Sequence, residues 1–335
     1  MAGKFARAVI VGASSPLGKE LAEQLNLASS VVWDIVLADT TTAGQMTAAG
    51  DEAAIVQPVA AETFEKADIV FFAGDAAQTR EHWALAQASG AGLVDLTGVP
   101  AAETKSLMLA PGFTTAQPDL TTVSTSIVHP AAMMLATILK RVSNLSLATA
   151  TVLLPASNFG DEAMDEMHKQ TVALLSFQAV PTEVFGTQVS FALRDESGED
   201  ARASLKAVRA ELQQQLPLVV GQDMPLALQV LQAPVFHGIT ASIFLQLSAA
   251  ETSVADLAEA FRSQGIVVAT EGDGEDISNQ AANGQGSILL RIRRAEGAAN
   301  GFWLWAAADN LQLAAGNAIA NAVEMLQLRP PTIVQ

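Results

Sequence analysis

Four histidines are the side chains of this 335-residue chain best suited to moving a proton near neutrality: His82, His129, His168 and His237. His82 and His168 fall inside helical patterns and read as surface or core-edge positions. His129 immediately precedes Pro130, and His237 stands in the connection Phe236-His237-Gly238. Two histidines from such separate segments could face one cleft as an acid–base pair. Asp161, Glu162, Asp165 and Glu166 form a second set on successive helical turns, where they could act as acid and base or simply favour a solvated helix start. Cysteine is absent, which excludes disulfides, thiolate metal sites and every thiol mechanism. No H-E-x-x-H occurs, so no metal site is expected, and without G-x-S-x-G or a P-loop a hydrolase or kinase reading has no support.

A binding site is clearer than a reactive one. Ala8, Val9, Ile10 and Val11 form a short apolar run suited to a strand buried on both faces, and it feeds the turn Gly12-Ala13-Ser14-Ser15-Pro16-Leu17-Gly18. The pattern G-x-x-S-x-x-G is a weakened dinucleotide fingerprint, with Gly12 for close backbone approach and Gly18 for helix packing. Gly12, Ser14, Ser15, Leu17 and Gly18 are thus candidate cofactor contacts, and free N–H groups at the helix start would face a phosphate. A second strand, Val31 to Ala38, ends at Asp39, which in a nicotinamide-binding fold accepts from the ribose 2′-OH. Thr40-Thr41-Thr42-Ala43-Gly44 supplies no cation for a 2′-phosphate, so NAD is favoured over NADP. Gly74, after the strand Ile69 to Phe72, would border the same cofactor.

The elements that must carry these residues suggest an α/β chain of two domains. In the first half, strands near 54–57, 69–72, 93–96 and 121–128 alternate with helical stretches, and Pro130 opens a helix to Leu139. A strand-to-helix crossing of that kind favours a developing anion, yet Ala131 and Ala132 occupy it. The second half reads as a different sheet. Leu147–Leu154, Leu226–Val235, Ile239–Leu247, Gly265–Ala269, Ser287–Arg293 and Phe302–Ala308 are strand-like, and the second and third of these are expected to pair antiparallel. Helices are expected at 199–216 and 254–263, an extended loop over 271–286, and a final helix capped by Asp309-Asn310 that leaves one domain to pack on the other. Trp303 and Trp305 share one strand face, read as core or subunit interface. A formal charge of −17 argues against nucleic acid and against an anionic membrane surface. With no apolar run of spanning length and no export signal, a cytoplasmic protein is expected.

The whole chain resembles the aspartate-semialdehyde dehydrogenase family, in Val11 to Gly18, in Asp68-Ile69-Val70-Phe71-Phe72-Ala73-Gly74, in Arg291-Ile292-Arg293-Arg294 and in Trp305 to Leu311. The resemblance implies a Rossmann-type dinucleotide domain, residues 1–130 and 309–335, around an α+β dimerisation domain with a mostly antiparallel sheet, residues 131–308. It also implies reductive dephosphorylation of an aspartyl phosphate with NADPH through a cysteine thioester. The family's Asn-Pro-Asn-Cys motif falls on His129-Pro130-Ala131-Ala132, so Ala132 stands where the nucleophile would be. Its glutamine falls on Leu154, its substrate-binding arginine on Gln232 and its catalytic histidine on Ile239, with His237 two residues early and, if on a strand, on the same face. Its phosphate-binding arginine has no counterpart around Asp95 to Pro100. Loss of a nucleophile alone costs about 10⁶-fold in turnover in enzymes of other classes.

The expectation is therefore a diverged homologue without the family reaction, a nucleotide-binding scaffold or regulator. It would form a homodimer, or a mixed dimer with an active homologue, and could take a small anionic metabolite. Its rivals are an NAD(P)-dependent oxidoreductase using direct hydride transfer, with His129 or His237 as acid–base, and residual activity of the family type.

Overall fold

The computed structural model describes residues 4–49, 52–222, 224–248, 252–262, 265–270 and 272–328. Residues 1–3 and 329–335 of the expected domain boundaries, and positions 263 and 271, lie outside the described residues. The chain divides into two compact units, residues 1–129 with 314–335, and residues 130–313.

The first unit holds β1 (Lys4–Val11), α1 (Pro16–Leu27), β2 (Val31–Ala38), the small hairpin β3 (Met46–Ala49) and β4 (Glu52–Ile55), β5 (Ile69–Phe72), α2 (Ala76–Ala88), β6 (Gly92–Asp95), α3 (Ala101–Thr104), β7 (Leu107–Leu109) and β8 (Ser124–Ile127). Its six-stranded sheet has the order β2-β1-β5-β6-β8-β7, parallel at every pairing. Both faces of β1 are covered at its C-terminal half, which is why Ala8 to Val11 is a continuous apolar run. Ala6, Ala8 and Ile10 pack with Leu21 and Leu25 of α1, while Val9 and Val11 face Phe64, Phe72 and Trp83. Three elements were not foreseen, β3, α3 and β7, and all are only three or four residues long, so they carry little periodicity.

The second unit holds α4 (Pro130–Leu139), β9 (Leu145–Leu154), α5 (Asp161–Leu175), α6 (Leu205–Val220), β10 (Leu226–Gln232), β11 (Ile239–Leu247), α7 (Val254–Phe261), β12 (Ile266–Ala269), α8 (Asn279–Ala282), β13 (Ile288–Arg294) and β14 (Gly301–Ala308). The sheet order is β10-β9-β11-β14-β13-β12. Pairing is antiparallel from β9 through β11 and β14 to β13, and parallel at both edges. The antiparallel pairing expected between β10 and β11 is corrected: β9 lies between them and pairs with each. The three residues between the expected strand runs looked like a hairpin turn, but β10 ends earlier, at Gln232, and the chain crosses over one strand instead. The helix expected from Glu199 begins at Leu205, because Ser204 accepts from Ala207 N as the cap and Ser197 Oγ accepts from Leu205 N. Residues 271–286 are not wholly loop, since Ser278 caps the short α8.

The last helix, α9 (Asn310–Leu328), starts in the second unit, and its body belongs to the first from Ala314 onward. There Ala315, Ala318 and Ala322 enter the same core as β1 and α1, where small side chains permit close helix–sheet approach. Asn321 Nδ2 donates to the Leu109 carbonyl of β7 at 3.0 Å, fastening the helix to the sheet edge.

Candidate functional site

In the first unit the turn after β1 is shaped by contact between glycines. Gly12 has φ +79°, and a methyl group built on it would lie 2.3 Å from Gly74 Cα. One built on Gly18 would lie 2.3 Å from the Gly12 carbonyl oxygen. The ends of β1 and β5 therefore meet as bare backbone, as a cradle for phosphate requires. Ser15 caps α1: its Oγ accepts from Gly18 N at 2.9 Å and donates to the Ala73 carbonyl at 2.7 Å.

The amides of this turn are less available than the sequence suggests. Gly12 N and Ala13 N both donate to the Ala38 carbonyl, Ser15 N to the Gly12 carbonyl, and Ser14 N to Asp39 Oδ2. Pro16 has no N–H, and Gly18 N is taken by Ser15. Leu17 N–H is left as the amide of this turn without a partner among the described residues. The Ala38 carbonyl and the Asp39 carboxylate take most of these amides, and Ser15 and Pro16 account for the rest of the helix start.

Asp39 is 5% exposed. Its Oδ1 accepts from Thr41 N and Thr41 Oγ1, both at 2.9 Å, and its Oδ2 from Ser14 N at 3.3 Å. Burial pushes its carboxyl up, but the hydrogen bonds from Thr41, Ser14 and Thr42 outweigh it and hold the group below the usual carboxylate value. Ser14 and Thr42 share a further hydroxyl–hydroxyl bond. Asp39 is thus a clamp between the glycine turn and the loop after β2, and a ribose hydroxyl would join an acceptor already in use.

In the second unit, strand register gathers three of the four positions expected from the resemblance to stand in place of the family's reactive residues. Gln232 at the end of β10 lies opposite Leu154 at the end of β9, while on the other side Thr240 of β11 is opposite Leu153 and Ile239 is opposite Ala308. Leu154 and Ile239 are fully buried, and so is Ala132 in the first turn of α4. Gln232 is buried too, with Nε2 donating to the Ala233 carbonyl and Oε1 unpartnered among the described residues. Over this end of the sheet, Ser157 Oγ donates to Asn310 Oδ1 at 3.1 Å and Gly238 N to the same oxygen at 3.3 Å. Ser157 is a buried hydroxyl held by a neutral amide, which cannot take its proton as a base would.

His237 lies in the turn between β10 and β11, before β11 begins at Ile239, so the face-preserving argument from strand spacing does not apply to it. Its carbonyl accepts from Asn279 Nδ2 at 3.0 Å. His129 is a buried residue at the end of the first unit. The acidic residues of α5 have structural work: Glu166 accepts from Val184 N and Phe185 N at 2.6 and 2.9 Å, Asp165 pairs with Lys169, and Glu162 with Arg202. Sequence reasoning passed over Arg194, whose backbone exchanges both hydrogen bonds with Gln232 and whose Nε donates to the Gln188 carbonyl. An isolated arginine between irregular segments carries no periodic signal. Asn310 was read only as a cap, although its side chain joins two loops.

Two family models match the chain. One, described as the semialdehyde dehydrogenase NAD binding domain, matches residues 7–117, and the other, its dimerisation domain, matches residues 135–313. The chain belongs to the semialdehyde dehydrogenase family. A family relative named USG-1 protein homolog, from Azotobacter vinelandii, is 27% identical over 326 residues, covering 95% of this chain and 96% of its own. Another of that name from Pseudomonas aeruginosa is 27% identical over 322 residues, covering 90% and 92%. A solved structure from Pseudomonas aeruginosa, described as a probable aspartate-semialdehyde dehydrogenase, shares the semialdehyde dehydrogenase fold with TM-score 0.80 at 23% identity, over 97% of this chain and 99% of that one.

Proposed function

We propose that this protein is a non-catalytic member of the semialdehyde dehydrogenase family, a nucleotide-binding scaffold or regulator that acts as a dimer. One observation carries the reading. Ala132, Leu154, Gln232 and Ile239 are all buried, and none of the four side chains can serve as a nucleophile, a proton carrier or a cation. A buried carboxylate would lose charge-assisted hydrogen bonds worth about 1.5–3 kcal/mol each without the arginine.

The first unit is the nucleotide-binding domain on this reading. Gly12, Ser14, Ser15, Leu17, Gly18, Asp39 and Gly74 would hold NAD or NADP, and the bound cofactor would supply hydride chemistry. The absence of side chains at Gly12 and Gly74, whose backbones meet with Gln78 Oε1 beside them, fits the close backbone approach that such a group needs. Residues 130–313 form the dimerisation domain, and a homodimer or a mixed dimer with an active homologue would form across the sheet face bearing Trp303 and Trp305. These are 47% and 37% exposed, and the Phe244 ring lies tilted against Trp303 at 5.2 Å between ring centroids. Direct hydride transfer through His129 or His237 gains no specific support from either side chain.

Calorimetry tests the proposal in one instrument. Titration with NAD, NADP and their reduced forms should give a finite binding heat, and aspartate semialdehyde with phosphate and NADP should add no sustained heat of turnover. Sustained turnover heat would overturn the non-catalytic reading, and no binding at millimolar nucleotide would overturn the nucleotide-binding one.

A further inference from the structure

Gln78 sits at the third position of α2, where its own amide N–H donates to Oδ1 of the capping Asp75. Its side chain turns back over the glycine contact. Oε1 lies 2.0 Å from where a Gly74 Cβ would be and 2.9 Å from the Cβ position of Gly12. Nε2 donates to Thr40 Oγ1 at 3.0 Å, on the loop that follows β2. The volume left by two glycines is thus filled by an acceptor oxygen of the protein. The same side chain bridges the ends of β1, β2 and β5, where a dinucleotide would cross.

We propose that Gln78 sets the nucleotide affinity of this turn by standing in for a phosphate oxygen in the empty protein. The inference rests on the reading of Gly12–Gly18 as a nucleotide site. Binding then proceeds by displacement: the amide leaves Gly74 and gives up Thr40, and the phosphate takes the vacated space. Both NAD and NADP meet the same obstacle, so Gln78 controls affinity and leaves the choice between them to Asp39.

The test is the dissociation constant for NADH and NADPH, measured by calorimetry on the full chain for wild type, Gln78→Ala and Thr40→Ala. Gln78→Ala should bind both nucleotides at least tenfold more tightly. Thr40→Ala, which frees the amide without removing it, should tighten both by a smaller factor. Circular dichroism and the melting temperature report whether each variant is folded, and Thr40→Ala, on an exposed loop, keeps the test available if Gln78→Ala is not. Wild type binding as tightly as the folded variants, or more tightly, would overturn the proposal. Absence of binding in all three proteins would instead remove the nucleotide reading itself, and this inference with it.

Discussion

On the proposed reading Ala132 carries the loss of the family chemistry, because its buried methyl group at the helix start cannot bear a developing anion. Restoring a thiol alone should therefore not restore the family reaction. Ala132→Cys is expected to stay at background turnover, and Ala132→Cys with Leu154→Gln, Gln232→Arg and Ile239→His is the variant in which activity could emerge. A single Ala132→Cys protein that turns over would mean the remaining groups are supplied from elsewhere. Asp39 allows a prediction about pH. Its folded pKa is lowered, so its stabilisation is fully present above the unfolded value of about 3.9 and is lost as pH falls through the lower folded value. Asp39→Ala should melt earlier than wild type at neutral pH, by an amount equivalent to about 1–3 kcal/mol, and the gap should close below about pH 4. A gap unchanged by acid would show that the carboxylate charge does not hold this loop.

At the level of elements, α9 and α5 show why some segments were legible and others were not. The apolar run of β1, the leucines of α1 and the Asp309 cap of α9 are local signals, and each produced the element expected of it. Crossover of β10 past β9 depends on partners distant in sequence, so a short glycine-containing link was misread as a hairpin. The same holds at the candidate site. The glycine positions could be read from the turn itself, whereas the capture of its amides by Ala38 and Asp39, and the Ser157–Asn310 contact, join residues far apart in the chain. Two substitutions probe this level. Ala318→Leu in α9 should overpack the core of the first unit and cost about 1–3 kcal/mol, read as a lower melting temperature. Glu166→Ala in α5 should strand the amides of Val184 and Phe185, lowering stability by a similar amount and speeding proteolysis within residues 181–204. Unchanged proteolysis there would show that the segment does not depend on α5.

For the molecule as a whole, family membership stands beside a proposed loss of the family's reactive groups. A net charge of −17 discourages nucleic acid, and no helix of the described residues is long and apolar enough to cross a membrane. An open sheet face with two half-exposed tryptophans is the surface a dimerisation domain would cover. Trp303→Glu should convert a dimer to a folded monomer in light scattering, since the side chain is already exposed in one chain; a variant that stays dimeric would place the interface elsewhere. The most direct measurement remains steady-state formation of NADPH from aspartate semialdehyde, phosphate and NADP by protein purified free of any cysteine-bearing relative. The account predicts a rate indistinguishable from the enzyme-free blank. A rate that rises in proportion to protein concentration and persists through repurification would contradict it.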